Sequence, residues 1–458
     1  MRRAFVTLTL ALAAAGRAGA QESAAGPSRS CTIEVDSLRR YAQVRGPNGQ
    51  PQYYGGGGAF LRCAEQPTTI TSDSIAWFPD RGELRLLRRV HFSDSTGFLD
   101  ADRLTYWVRQ ERLIAQGNVY TRNLKSRSDL RGPSLDYYRA VPPIRDTVEL
   151  FATGRPTIHF FSQRDTAAGD SARPFVVVAD RVHLRGNDRM WGSGHVTIDR
   201  DNLAARGDSA SLDLSGDEGF LIGNPELRDT TGSRYRLTGR RINFALTPEH
   251  DVRQVVSQGA ANALGTDWTL RADTLDLAVD SGRIERAQAW GQPGPATATS
   301  GLHTIVADSL DIRMPAQVVR LVWAYGHGHA TSKPDSVVTE DDWLSGDTLR
   351  ADFAARDSAA RRTSELEHLT AFGSARAYYH TDNDRDPGGE RGINYSRGRR
   401  IDIAMRESKV RTVDIVGQVD GVYLEPIPRV APADTTRPDT TAARRSRPAP
   451  ATPPGRTP

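Results

Sequence analysis

The chain repeats itself along most of its 458 residues, and this limits the fold more than any other feature. One half of the repeat is a turn, often Ala-Asp, followed by alternating apolar and polar residues. Ala101-Asp102-Arg103-Leu104-Thr105-Tyr106, Ala179-Asp180-Arg181-Val182-His183-Leu184, Ala272-Asp273-Thr274-Leu275-Asp276-Leu277 and Ala307-Asp308-Ser309-Leu310-Asp311-Ile312 are clear copies. The other half is an alternating run broken by glycine, as in Leu113-Ile114-Ala115-Gln116-Gly117-Asn118-Val119. It recurs around Gly58, Gly154, Gly194, Gly223, Gly259, Gly291, Gly326, Gly373 and Gly417. Where no insertion intervenes, copies lie 28 to 35 residues apart, as from Val182 to Ala210 and from Leu275 to Leu310. No stretch keeps apolar residues at helical three-and-four spacing for long, so the runs are predicted strands.

One such strand pair leaves an apolar face and two open edges. Stacking it on its neighbours buries the face and pairs the edges. The repeat therefore predicts one elongated all-β domain, a solenoid of about ten two-strand rungs, roughly 50 Å long at a strand spacing of roughly 4.8 Å. The glycine lets each rung bend over on itself. Polar insertions near Gln163–Arg173, Ser332–Asp342 and His380–Gly392 are predicted loops. Period-two geometry puts Leu104, Tyr106 and Val108 on one face of a strand, and Leu113, Ala115, Gly117 and Val119 on one face of its partner. Val182 and Leu184, Leu275 and Leu277, and Leu310 and Ile312 are the matching positions further along. The pattern alone leaves two readings open: these residues line an apolar groove, or they pack only against one another.

The ends differ from the body. Arg2 and Arg3, an uncharged stretch from Ala4 to Gly16, and Ala18-Gly19-Ala20 read as a Sec-type signal over residues 1–20, too short to span a bilayer. The expected product is exported. In an oxidising compartment the only two cysteines, Cys31 and Cys63, are expected to form one disulfide, the alternative being two buried thiols. The repeat domain occupies 21–425. Residues 426–458 are Pro, Thr, Ala and Arg with almost no large apolar side chain, a composition that reads as a disordered tail. The net charge of +4 comes from the two ends, where Arg2, Arg3, Arg17 and six tail arginines sit. The body between is slightly acidic, which argues against a nucleic-acid partner.

The pairing of Ala101–Tyr106 with Ala115–Val119 resembles the repeat of OstA-like domains. That lipopolysaccharide-transport family includes the periplasmic bridge LptA and the periplasmic half of the outer-membrane receptor LptD. The resemblance runs from about Ile33 to Leu424 and is strongest over Thr71–Tyr138; it can be parsed as two segments, about 31–160 and 175–425. It implies a β-jellyroll or folded-over β-taco whose apolar interior takes lipid acyl chains while sugars stay outside. It also implies a periplasmic protein, associated with the outer membrane, that meets other OstA-like components by end-to-end strand addition. The chain has more rungs than the short bridge, and the tail follows Leu424 in place of the receptor's barrel. The expectation is a long bridge-type component whose partner is lipopolysaccharide or a related lipid.

Other chemistries find little support. His327-Gly328-His329 is a close pair without a third ligand, and the repeated Asp102, Asp180, Asp273 and Asp308 are single carboxylates, read as caps on turn amides. Arg206-Gly207-Asp208 spells an adhesion tripeptide but falls at one more strand start. Gly55–Gly58 lacks the Lys-Ser/Thr of a phosphate loop, and no nucleophile elbow occurs. No enzyme activity, cofactor or metal is expected. The competing reading is a structural β-solenoid, a secreted adhesin or spacer with a sealed core.

Overall fold

The computed structural model describes residues 32–425, apart from 65, 162–172, 202, 230–234, 302, 334–339, 359–360, 382–390 and 407–408. The signal segment, Cys31, the tail and most of the three predicted loops lie outside the described residues. What is described is all-β: 29 antiparallel strands in one sheet, with 3-10 turns at Val108–Gln110 and Pro315–Gln317 and no α-helix. The long strands pair antiparallel with the long strands before and after them; Gly97–Trp107, for example, lies between Glu83–Ser93 and Arg112–Asn123. Pairs of short strands share a long neighbour, as Glu149–Thr153 and Thr157–Phe160 share Asp129–Tyr138.

The sheet is creased. Nearly every long strand carries a register break at its middle, as between Leu87 and Val90, Gln116 and Val119, Ser193 and Val196, and Tyr325 and Gly328. Elsewhere the crease splits a strand in two: Val252–Leu264 pairs through one half with Arg241–Leu246 and through the other with Arg236–Thr238. The ten glycines singled out by the repeat all have left-handed φ, the conformation a bulge of this kind needs and most side chains resist.

The crease folds the sheet onto itself. In register, Phe92 lies opposite Leu99. Tyr106 is seven residues further along that strand, which in a flat sheet would be roughly 23 Å away. The Phe92 and Tyr106 ring centroids are nevertheless only 6.1 Å apart, edge to face. The sheet thus forms two leaves, a first carrying Phe92, Leu99 and Ile158 and a second carrying Leu84, Tyr106 and Leu184. One continuous hydrophobic core lies between them, from Ala59 to Ile403. Among the described residues, the outer edges of Ile33–Arg45 at one end and of Lys409–Val416 with Asp420–Leu424 at the other pair with nothing.

Candidate functional site

The space between the leaves is built from the residues the repeat had marked. Leu104, Tyr106, Leu113, Val119, Val182, Leu184, Leu275, Leu277, Leu310 and Ile312 are all buried and belong to the one core. Strand register aligns those of the second leaf into two rows. Tyr106, Leu113, Leu184, Leu277 and Ile312 lie in one row, linked through Tyr137, Leu150, Met190, Leu212, Phe244, Val255 and Ala287. Leu104, Val182, Leu275 and Leu310 lie in the neighbouring row nearer the crease. There Ala115, Ala152, Gly192, Ala210 and Ala289 intervene. That row thus mixes small residues with large ones, since Leu135, Leu221 and Ile242 also belong to it.

Two placements differ from the expectation. Val108 leaves the strand at Trp107 and sits in a 3-10 turn at the margin of the core, because the reversal into Arg112–Asn123 begins there. Val119 lies past the bulge and so belongs to the first leaf, facing the others across the interior. The rest of that facing wall, including Phe92, Leu99, Leu130, Ile158 and Phe160, was not foreseen. The alternation restarting after each bulge was its signal.

The repeated aspartates do other work than capping turn amides. Asp102 lies against Gly117 and accepts a hydrogen bond from Asn118 Nδ2 at 2.8 Å. Asp180 lies against Gly194 and pairs with His195 Nδ1 at 2.8 Å, and Asp308 lies against Gly326 and pairs with His327 Nδ1 at 3.0 Å. The hydrogen bond to His195 holds the Asp180 carboxyl below its ordinary pKa. The Ala-Asp half of one strand thus locks onto the glycine half of the next, outside the crease. Of the histidine pair, His327 is exposed in this lock, whereas His329 packs against Trp343. Among the described residues no three metal-ligating side chains converge.

Charged side chains bridge the two leaves at the mouth of the interior, opposite the crease. The Arg139 guanidinium sits 3.1 Å from Asp94 in a first-leaf turn and 2.9 Å from Glu111 in a second-leaf turn, and Tyr106 OH donates to Glu111 at 2.8 Å. Burial alone would lower the Arg139 pKa, but Glu111, Tyr106 and Asp94 outweigh it and hold the group firmly charged. Burial, reinforced by Asp94, pushes the Tyr137 phenol up to about 12. A second bridge lies further along: Arg200 stacks 4.5 Å over Phe175 and donates to the Glu249 carbonyl at 3.2 Å. Just inside the Arg139 bridge is a cavity of about 90 Å³, lined from both leaves by residues that include Phe92, Leu99, Leu113, Ile158 and Leu184.

Of the cysteine pair, Cys63 is disulfide-bonded at the end of Pro51–Cys63, and Cys31 is outside the described residues. The sequence matches no protein-family model and none of the curated proteins with which it was compared. The functional reading therefore rests on the chain's own residues.

Proposed function

We propose that this chain is a non-enzymatic lipid-binding bridge: an OstA-like β-taco of about ten two-strand repeats, acting in the periplasm, that shields lipopolysaccharide acyl chains between its leaves on the way to the outer membrane. The observation that carries the reading is the uninterrupted apolar interior, framed by a crease on one side and by polar bridges at the mouth on the other. A long wall of similar apolar rows holds an alkyl chain without direction, so a lipid can advance from rung to rung without a deep trap. Each methylene taken out of water contributes about 0.8 kcal/mol. The open strand edges at both ends suit end-to-end addition of further OstA-like components.

A second reading is favoured by a specific observation. Tyr106, Leu275 and Leu277 are fully buried, as in a spacer or adhesin with a sealed core. The two readings differ in what happens when the leaves part. Exchanging side-chain contacts for contacts with an alkyl chain keeps the interior dry, so opening onto lipid exposes little apolar surface to water, whereas opening onto water alone exposes all of it. Gentle purification of the exported full-length protein, followed by solvent extraction and mass spectrometry, separates the two. Acyl lipid in near-stoichiometric amount supports the bridge. Delipidated protein of unchanged stability and lipid-free extracts support the spacer.

A further inference from the structure

The cavity behind the Arg139 bridge has a basic lip. The first-leaf turn at its rim reads Arg122-Asn123-Leu124-Lys125-Ser126-Arg127. Arg122, Asn123 and Ser126 line the cavity itself. Arg122 and Lys125 are exposed and pair with no carboxylate among the described residues, while Leu124 stands 55% exposed at the tip between them. The turn is held rigid from within: Asn123 Oδ1 accepts from the backbone N–H groups of Lys125 and Ser126 at 2.8 and 2.9 Å. Two exposed cations without a carboxylate partner, flanking an exposed leucine over a mostly apolar cavity, match a molecule with a negative head and an alkyl tail.

We infer that this rim is where an anionic amphiphile is admitted to the interior, its phosphate or carboxylate head held by Arg122 and Lys125 and its alkyl chain passing Leu124 into the cavity lined by Phe92, Leu113 and Leu184. The inference rests on the lipid reading above and adds the point of admission and the charge it selects. At about 90 Å³ the cavity is smaller than the ~150 Å³ that holds one benzene, so it seats only the tip of a chain. Further entry requires the first and second leaves to part at Arg139, whose bridge to Asp94 and Glu111 spans the mouth.

The test uses the full-length protein and two photoreactive probes with the same twelve-carbon diazirine chain, one an alkyl phosphate and the other a neutral alkyl glucoside, with adducts mapped by mass spectrometry. The alkyl phosphate is expected to label peptides holding Leu113, Leu130 or Leu184 at least tenfold more than the glucoside. The double variant Arg122→Gln/Lys125→Gln, at two exposed positions, is expected to cut that labelling about tenfold and leave the glucoside unchanged. Glu111→Gln, which loosens the bridge without touching the rim, is expected to raise it. Labelling that ignores the two cations overturns the inference, as does displacement by millimolar inorganic phosphate alone, which would mark a plain anion site. Labelling at peptides holding Leu277 or Ile312 but not at the cavity removes this inference and leaves the lipid reading standing. No interior labelling by either probe removes both.

Discussion

At the scale of single residues, the crease depends on contacts between a glycine and the side chain facing it. Gly117 has φ +77°, and a Cβ added there would land on the Asp102 carboxylate. Gly117→Ala is therefore expected to cost about 2–3 kcal/mol, part from the left-handed backbone and part from the clash. Asp102→Ala, at an exposed position, should cost under about 1 kcal/mol alone. In the double variant the clash disappears, so the two costs should sum to more than the measured total; strict additivity in urea melts would contradict the lock. The Arg139 bridge is a different case, because removing the cation leaves Asp94 and Glu111 facing each other half-buried. Arg139→Gln should cost about 3 kcal/mol and speed amide exchange at 94–97 and 108–112 first. A third expectation concerns pH. Burial lowers the His303 pKa below its ordinary value, so the folded state favours the neutral ring while the unfolded chain takes up a proton near 6.5. Stability should then fall as pH drops below about 6.5. His303→Gln should flatten the melting-temperature profile between pH 7 and pH 5, and an unchanged slope would show that His303 does not contribute.

At the scale of the strand, alternation and glycine placement made most of the architecture legible. Leu104, Tyr106, Leu184 and Leu277 fall inward because the side-chain period of a strand is two, and this local rule needs no knowledge of distant partners. Where the chain bends without glycine the signal fails: Arg88 and Arg89 both take positive φ at the crease, and nothing in Leu87-Arg88-Arg89-Val90 announces it. The Asp102 motif was visible while its partner was not, since Gly117 lies opposite only once the strands are in register. The Arg139 bridge was hidden for the same reason, its partner Asp94 lying 45 positions back and meeting it only because the sheet folds over. The disulfide at Cys63 acts at this scale too. Strand Ile33–Arg45 is mostly exposed and paired on one edge alone, so a crosslink there restrains an element with little core of its own. Cys63→Ser is expected to cost roughly 3 kcal/mol on the chain-entropy view. Faster hydrogen exchange should be confined to residues 33–62, and exchange that accelerates equally at 181–290 would show that the bond stabilises the whole core instead.

At the scale of the molecule, the two leaves of a creased sheet share one long apolar interior, bridged at the mouth by Arg139 and Arg200, with the outermost strand edges unpaired among the described residues. Apolar side chains follow one another along the whole of that interior, which suits passage of an alkyl chain better than capture of one rigid ligand. The measurement that bears most directly on this is photo-crosslinking in cells, with a photoreactive residue placed singly at Tyr106, Leu184, Leu277 or Ile312. The half-buried outward neighbours Thr105 and Asp276 serve as controls. The account predicts lipopolysaccharide adducts at the inward positions and not at the outward ones, tracing a path along one row of the second leaf. A folded, exported protein that gives no lipid adduct at any inward position would contradict it, and the interior would then be a sealed core.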